Sequence, residues 1–192
     1  FGSDAAQLEG TVFSQERSQT IRWVLFAASR PRQLYRGGAK KKTAGEIAGV
    51  LPTVLFCPED LMILKAGASQ RRRLADNVLC QLRPNYDAAL TEYGRILEQK
   101  SRILKDRYEN PALLEVLPEF NARLCRVGAI LISYRARFFA ALGEQAGAYH
   151  HQFSGGSEEF TLRYKTVSTV DDPFAPVPAL EGQLRDHLER HS

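Results

Sequence analysis

Leu51-Pro52-Thr53-Val54-Leu55-Phe56-Cys57-Pro58-Glu59-Asp60-Leu61 is the stretch where one kind of sequence gives way to another. Upstream, Leu8, Gly10 and Val12 alternate with polar neighbours, and Ile21, Trp23 and Leu25 do the same around Arg22 and Val24. A period of two is the spacing of a half-buried strand, so this part reads as an antiparallel meander. Arg36-Gly37-Gly38 supplies its turn, because adjacent glycines accept positive φ without steric cost. Thr43-Ala44-Gly45-Glu46 has the spacing of a capping box and predicts a short helix over 44–48. Leu51 to Phe56 is then expected as a compact apolar strand buried in a sheet.

Downstream of Pro58 the period changes. A helix is predicted over 70–82, followed by two longer ones. Tyr86, Leu90, Tyr93, Leu97 and Leu104 follow heptad-like steps with Lys100 in the skipped place, and Phe120, Leu124, Val127, Leu131, Tyr134 and Phe138 alternate steps of four and three. Asn110-Pro111 and Pro118 interrupt the pattern, which predicts antiparallel helices over about 85–109 and 119–150, joined by a connection with one helical turn of its own. Tyr93, Leu97, Leu124, Leu131 and Phe138 are expected between them. At about 1.5 Å per residue, some 30 helical residues make an arm on the order of 45 Å long. Ser154-Gly155-Gly156 ends the arm, Glu159 to Lys165 alternates as one more strand, the proline-rich 171–178 reads as a loop, and 180–191 as a final helix. The fold class is α+β, in three segments: 1–82, 83–153 and 154–192.

The 192 residues, 44% of them hydrophobic, suffice for a folded domain and exclude a chain disordered throughout. A net charge of +4 permits contact with nucleic acid without demonstrating it. Cys57, Cys80 and Cys125 lie far apart and lack the spacing of a zinc site or a redox pair, which points to a reduced, cytoplasmic setting. No run approaches the roughly 18 apolar residues of a membrane span, and no signal-peptide pattern opens the sequence. A soluble, unexported chain is expected.

Several charged and glycine-rich clusters are candidates for chemistry. In Gly37-Gly38-Ala39-Lys40-Lys41-Lys42-Thr43, Lys41 occupies the place where a phosphate loop needs glycine, so the segment reads as a basic hairpin. Phe153-Ser154-Gly155-Gly156-Ser157 follows a helix instead of opening one, and Glu158-Glu159 puts negative charge where a phosphate would lie, so it reads as a helix-ending turn. Arg71-Arg72-Arg73 has two readings. Either the triplet contacts phosphate or carboxylate, or one arginine pairs with Asp76 or Glu59 while the others are solvated. Glu59 and Asp60 either ligate magnesium or cap the segment that comes after them. Arg95, Lys100 and Arg102, with further basic residues out to Arg137, either track a phosphate backbone or form an ordinary solvated face. His150 and His151 have no ligand at a useful spacing. No catalytic residue, metal cluster or cofactor is expected for this chain alone.

Taken together, Phe56-Cys57-Pro58-Glu59-Asp60-Leu61, Ser69-Gln70-Arg71-Arg72-Arg73-Leu74-Ala75-Asp76 and Gln81-Leu82-Arg83-Pro84-Asn85-Tyr86 resemble the middle of the RecF family, relatives of the SMC and ABC-type ATPases. The order of the other blocks agrees, through Tyr93 and on to Ser154-Gly155-Gly156 and Leu162-Arg163-Tyr164. Ala66-Gly67-Ala68, Leu74-Ala75 and Gln99-Lys100-Ser101 depart from the family's usual residues. The resemblance implies an interior segment: the antiparallel meander of an ATPase head plus a long helical-hairpin arm, its phosphate loop preceding the segment and its signature and Walker B parts following it.

For the parent, the resemblance implies ATP and Mg as cofactors, weak DNA-dependent ATPase activity and an ATP-dependent homodimer. It implies DNA at gapped junctions and RecO- and RecR-type loader proteins as partners, in recombinational repair and replication-fork maintenance. Glu59 and Asp60 would lie near the Q-loop position, and Arg71, Arg72 and Arg73 on an arginine-bearing helix. The alternative, from another class, is a free-standing protein-interaction module that uses the helical hairpin.

Overall fold

The computed structural model describes residues 2–14, 16–27 and 29–190. They divide into two compact units, Phe1–Arg71 with Cys80–Pro84, and Arg72–Leu79 with Asn85–Ser192.

The first unit is built on a four-stranded antiparallel sheet in the order β1-β2-β3-β4, with β1 at Ala5–Ser14, β2 at Arg17–Phe26, β3 at Gln33–Arg36 and β4 at Ala39–Lys41. Register follows the alternation. Leu8 opposes Trp23, Trp23 opposes Leu34 and Leu34 opposes Lys41, while one residue along, Glu9, Arg22, Tyr35 and Lys40 line the other face. Gly37 and Gly38, at φ 56° and 79°, make the two-residue turn between β3 and β4, which needs positive φ at both positions. The expected capping box is present, with the Glu46 carboxylate accepting from the Thr43 N–H at 3.0 Å and the Lys42 N–H at 2.8 Å. Those two bonds hold its pKa below the ordinary carboxylate value. The helix it opens is shorter than expected, a single 3₁₀ turn at Ala44–Glu46.

Leu51 to Phe56 corrects an expectation. The segment is not a strand, and Val54, Leu55 and Phe56 are 99%, 81% and 69% exposed. The Thr53 N–H is held by Gln81 Oε1 at 2.8 Å, and no strand among the described residues pairs with the segment. An apolar run becomes a buried strand only when a ladder and a covering layer meet it.

Helix α1, Ala68–Leu82, contributes residues to both units. The second unit continues with α2 at Pro84–Asp106, a 3₁₀ turn at Pro111–Val116, α3 at Leu117–Phe153 and α4 at Val177–Arg190. The helix-turn-helix reading holds, including the connecting turn. The expected end of the last helix, His191, lies outside the described residues.

The α2–α3 seam is antiparallel and recurs by sevens. Arg135 Nε donates to the Tyr86 hydroxyl at 2.9 Å, a Cβ built on Gly128 would lie 3.6 Å from the Tyr93 ring, and Lys100 Nζ donates to Asn121 Oδ1 at 2.7 Å. Successive rungs thus advance seven residues on α2 while retreating seven on α3. The inward stripe of α2 is Tyr86, Ala89, Tyr93, Ile96 and Lys100. Ile96 is fully buried where the heptad spacing expects Leu97 inside, and Leu97 is 41% exposed. One residue is about 100° of helix, enough to carry Leu97 out of the seam.

Helix α3 is covered on more than one side. Ala129 and Ile132 join Val170 and Leu180 in a core cluster, with Tyr164, Val167 and Leu184 packed around it. A Cβ on Gly128 would also come within 3.2 Å of Leu184 Cδ1, so this glycine lets α2 and α4 approach α3 together. The alternating segment Glu159 to Lys165, expected as a strand, forms no ladder among the described residues. Its half-buried Phe160, Leu162 and Tyr164 spend their period of two on a helix instead. Leu162 Cβ lies 3.1 Å from where a Cβ on Gly143 would be, the Phe160 carbonyl 3.2 Å from one on Gly147, and Tyr164 stacks on Phe139 at 5.7 Å.

Candidate nucleic-acid interface

The first turn of α1 contains no acidic residue, although a helix N-terminus favours one. Arg71 closes that turn, and Arg72 and Arg73 follow it. Arg71 Nη1 turns back to the Ala66 carbonyl at 2.6 Å, whereas Arg72 and Arg73 are exposed. Asp76, one turn further on, is three and four residues from Arg73 and Arg72 and within reach of either on the helix surface.

Asp76 is engaged elsewhere, with Arg135 of α3, 59 residues away in sequence. Arg135 Nε meets Asp76 Oδ1 at 3.0 Å and its Nη2 meets Oδ2 at 3.0 Å, a bidentate fork; the side chains are 14% and 19% exposed. The Tyr86 hydroxyl donates to the same carboxylate and accepts from Arg135 Nε, and the Tyr86 ring meets Tyr134 edge-on at 5.6 Å. Burial, helped by the bond to Asp76, pushes the Tyr86 phenol well above its ordinary pKa. Burial works against the charge on Arg135, but Tyr86 and Asp76 outweigh it and hold the guanidinium above its usual value. The local pairing of a triplet arginine with Asp76 is therefore not formed.

Of the arm residues, Arg95 is exposed, Lys100 is tied to Asn121, and Arg102 pairs with Glu98 at 2.7 Å on the surface. Asp60 Oδ2 accepts from the Cys57 N–H at 2.8 Å and so caps the 3₁₀ turn Pro58–Ile63, while Glu59 is exposed. Asp60 thus already serves the backbone, and among the described residues no three His, Cys, Asp or Glu side chains gather as metal ligands. Gly37 and Gly38 serve a hairpin, not a phosphate cradle. Burial raises the Cys125 thiol above its ordinary pKa, the reverse of what activates a nucleophile. No helix among the described residues is long and apolar enough to cross a membrane.

Arg135, read in the sequence only as one of the arm's basic residues that track a phosphate backbone or form a solvated face, is instead the buried partner of Asp76. Its signal is a charge set among Leu131, Ile132, Ala136 and Phe139, all buried. A cation in such a stripe requires a partner.

A short antiparallel sheet, an arginine-bearing helix and a long helical hairpin, in that order, define an α+β segment. Two solved structures of the recombination mediator protein RecF, described as RecF-ATPrS and RecF-ATP in the RecFOR pathway, share this fold. Their TM-scores are 0.87 and 0.84 at 23% and 24% identity, each match covering 99% of this chain and 50% of the other. The DNA replication and repair protein RecF of Agathobacter rectalis is 33% identical over 97% of this chain and 51% of its own length. RecF of Lachnoclostridium phytofermentans is 33% identical over 84% and 43%. No protein-family model matches. The chain belongs with the RecF DNA replication and repair proteins over the part it spans, which is about half the length of these relatives.

Proposed function

We propose that this chain is the segment of a RecF-like DNA repair protein that carries part of the ATPase head and the helical arm, and that it meets the DNA backbone through Arg72 and Arg73. The observation that carries the reading is the pair of exposed guanidinium groups on α1, in a chain related to RecF over nearly its whole length. Arg95 adds a third exposed cation, and Arg71, Lys100 and Arg102 add charge while tied to their own partners. Phosphate contacts of this kind position a protein without reading sequence.

In the complete protein, ATP and Mg would bind at groups beyond this segment, with Glu59 and Asp60 near the nucleotide. ATP-dependent dimerisation, cooperation with RecO- and RecR-type loaders at gapped DNA, and a cytoplasmic location belong to the same reading. The exposed apolar run of Val54, Leu55, Phe56, Leu61, Met62 and Leu64 supports it from another side, as a surface that the remaining length of a RecF-like protein would cover.

The test is fluorescence anisotropy with a labelled gapped duplex across a salt series. Arg72→Ala/Arg73→Ala should weaken binding equally for unrelated sequences and reduce the salt slope by roughly 0.9 for each phosphate that is no longer neutralised. An unchanged slope would remove these arginines from the interface. Loss of ATP-dependent dimerisation in the longer protein, with DNA binding intact, would assign them to a nucleotide or subunit contact.

A further inference from the structure

Arg72 and Arg73 carry charge to the surface next to an acidic residue of their own helix, and an arginine followed four residues later by aspartate ordinarily neutralises itself in part. Here the acid is withdrawn. Both Asp76 oxygens are taken by the Arg135 fork, and Oδ1 also receives the Tyr86 hydroxyl. Two anchors on other helices, Tyr86 and Arg135, hold one carboxylate. Resting on the reading that Arg72 and Arg73 contact DNA, we infer that Arg135 is a positioning residue for that contact: it occupies Asp76 and so leaves the arginine pair uncompensated for phosphate.

The alternative role for the Asp76–Tyr86–Arg135 cluster is purely structural, and the two make different demands on substitution. If Arg135 acts by occupying the carboxylate, Arg135→Gln releases Asp76 toward Arg72 and Arg73. Removing the carboxylate as well should then undo the harm, although the ion pair is still gone. A structural role makes the opposite demand, since the second substitution restores no contact between the helices.

The experiment measures anisotropy on the same labelled gapped duplex with five variants of the full chain, each checked for helical content by circular dichroism. Arg135→Gln should lower the salt slope by about 0.9 and affinity by about fivefold at physiological salt, the equivalent of one phosphate contact. Asp76→Asn/Arg135→Gln should regain the wild-type slope, and Arg135→Gln added to Arg72→Ala/Arg73→Ala should cause no further loss. Should Arg135→Gln fail to fold, Asp76→Asn alone decides: the inference requires an unchanged slope, and a lowered one overturns it. An effect of Arg72→Ala/Arg73→Ala with none of Arg135→Gln, or a double variant that stays impaired, also overturns it. No effect of Arg72→Ala/Arg73→Ala means that the underlying DNA reading has failed.

Discussion

The sheet unit and the helical unit spend their apolar residues differently. In the helical unit Tyr86, Ile96, Leu131 and Leu180 are buried at helix contacts, and even an isolated extended segment finds a helix to lie against. In the sheet unit the buried apolar residues described are Leu34, Ile47 and Val50, while Leu8, Phe13, Val54, Leu55 and Phe56 face outward. Burial of apolar area drives folding, so the helical unit holds its own core, whereas the sheet unit leans on backbone ladders and a few tight turns.

The largest effect that can break this contrast is in the helical core. Leu131, 2% exposed, should lose about 2–5 kcal/mol on substitution by alanine, read from thermal or urea unfolding monitored by helical circular dichroism. A loss under about 0.5 kcal/mol, the range of surface substitutions, would mean that α3 lacks the core described for it. In the sheet unit the fixed points are backbone ones. Gly49 sits at φ 79° with the Gln81 carbonyl 2.8 Å from where its Cβ would be, so Gly49→Ala should cost about 2 kcal/mol and loosen hydrogen-exchange protection in the sheet before that of α3. Equal loosening of both units would dissolve the distinction.

Tyr86→Phe sharpens it through pH. The folded chain holds the Tyr86 proton more tightly than the unfolded chain, whose phenol titrates near 10. Above that pH the unfolded state sheds a proton that the folded state keeps, so this contribution to stability is lost as pH rises. Tyr86→Phe should cost about 1–1.5 kcal/mol at neutral pH and narrow its deficit in alkali, checked by melting curves over an alkaline series. A deficit that does not narrow would contradict the raised phenol. Smallest of all, Leu55→Ala should shift stability by less than about 0.5 kcal/mol despite removing a large apolar side chain, because that side chain is 81% exposed. A larger loss in an unfolding titration would show the apolar run to be covered.

Legibility in the sequence divides along the same line. Strands β1 and β2, the Gly37-Gly38 hairpin and the α2–α3 pair are governed by short periods, and a period is visible within a dozen residues. Leu51 to Phe56 is legible as apolar and extended, but such a pattern reports what a segment is fit to contact, and no covering partner is among the described residues. Glu159 to Lys165 shows the same limit from the other side, since alternation is equally served by a sheet or by a helix carrying Gly143 and Gly147. The arginine triplet is visible as a cluster. Its freedom from Asp76 is not, because a pairing across 59 residues leaves no trace in local spacing.

The rungs Tyr86–Arg135, Tyr93–Gly128 and Lys100–Asn121 make the hairpin a ruler with seven-residue divisions on both edges. Deleting one residue between Tyr93 and Lys100 would rotate everything beyond it by about 100° and bring the wrong side chain to every later rung. Length can therefore be gained or lost along this arm without penalty only as matched heptads, one in each helix. Over evolutionary time such an arm should vary in steps of about 10 Å, the rise of seven helical residues, with drift in sequence far outpacing drift in size.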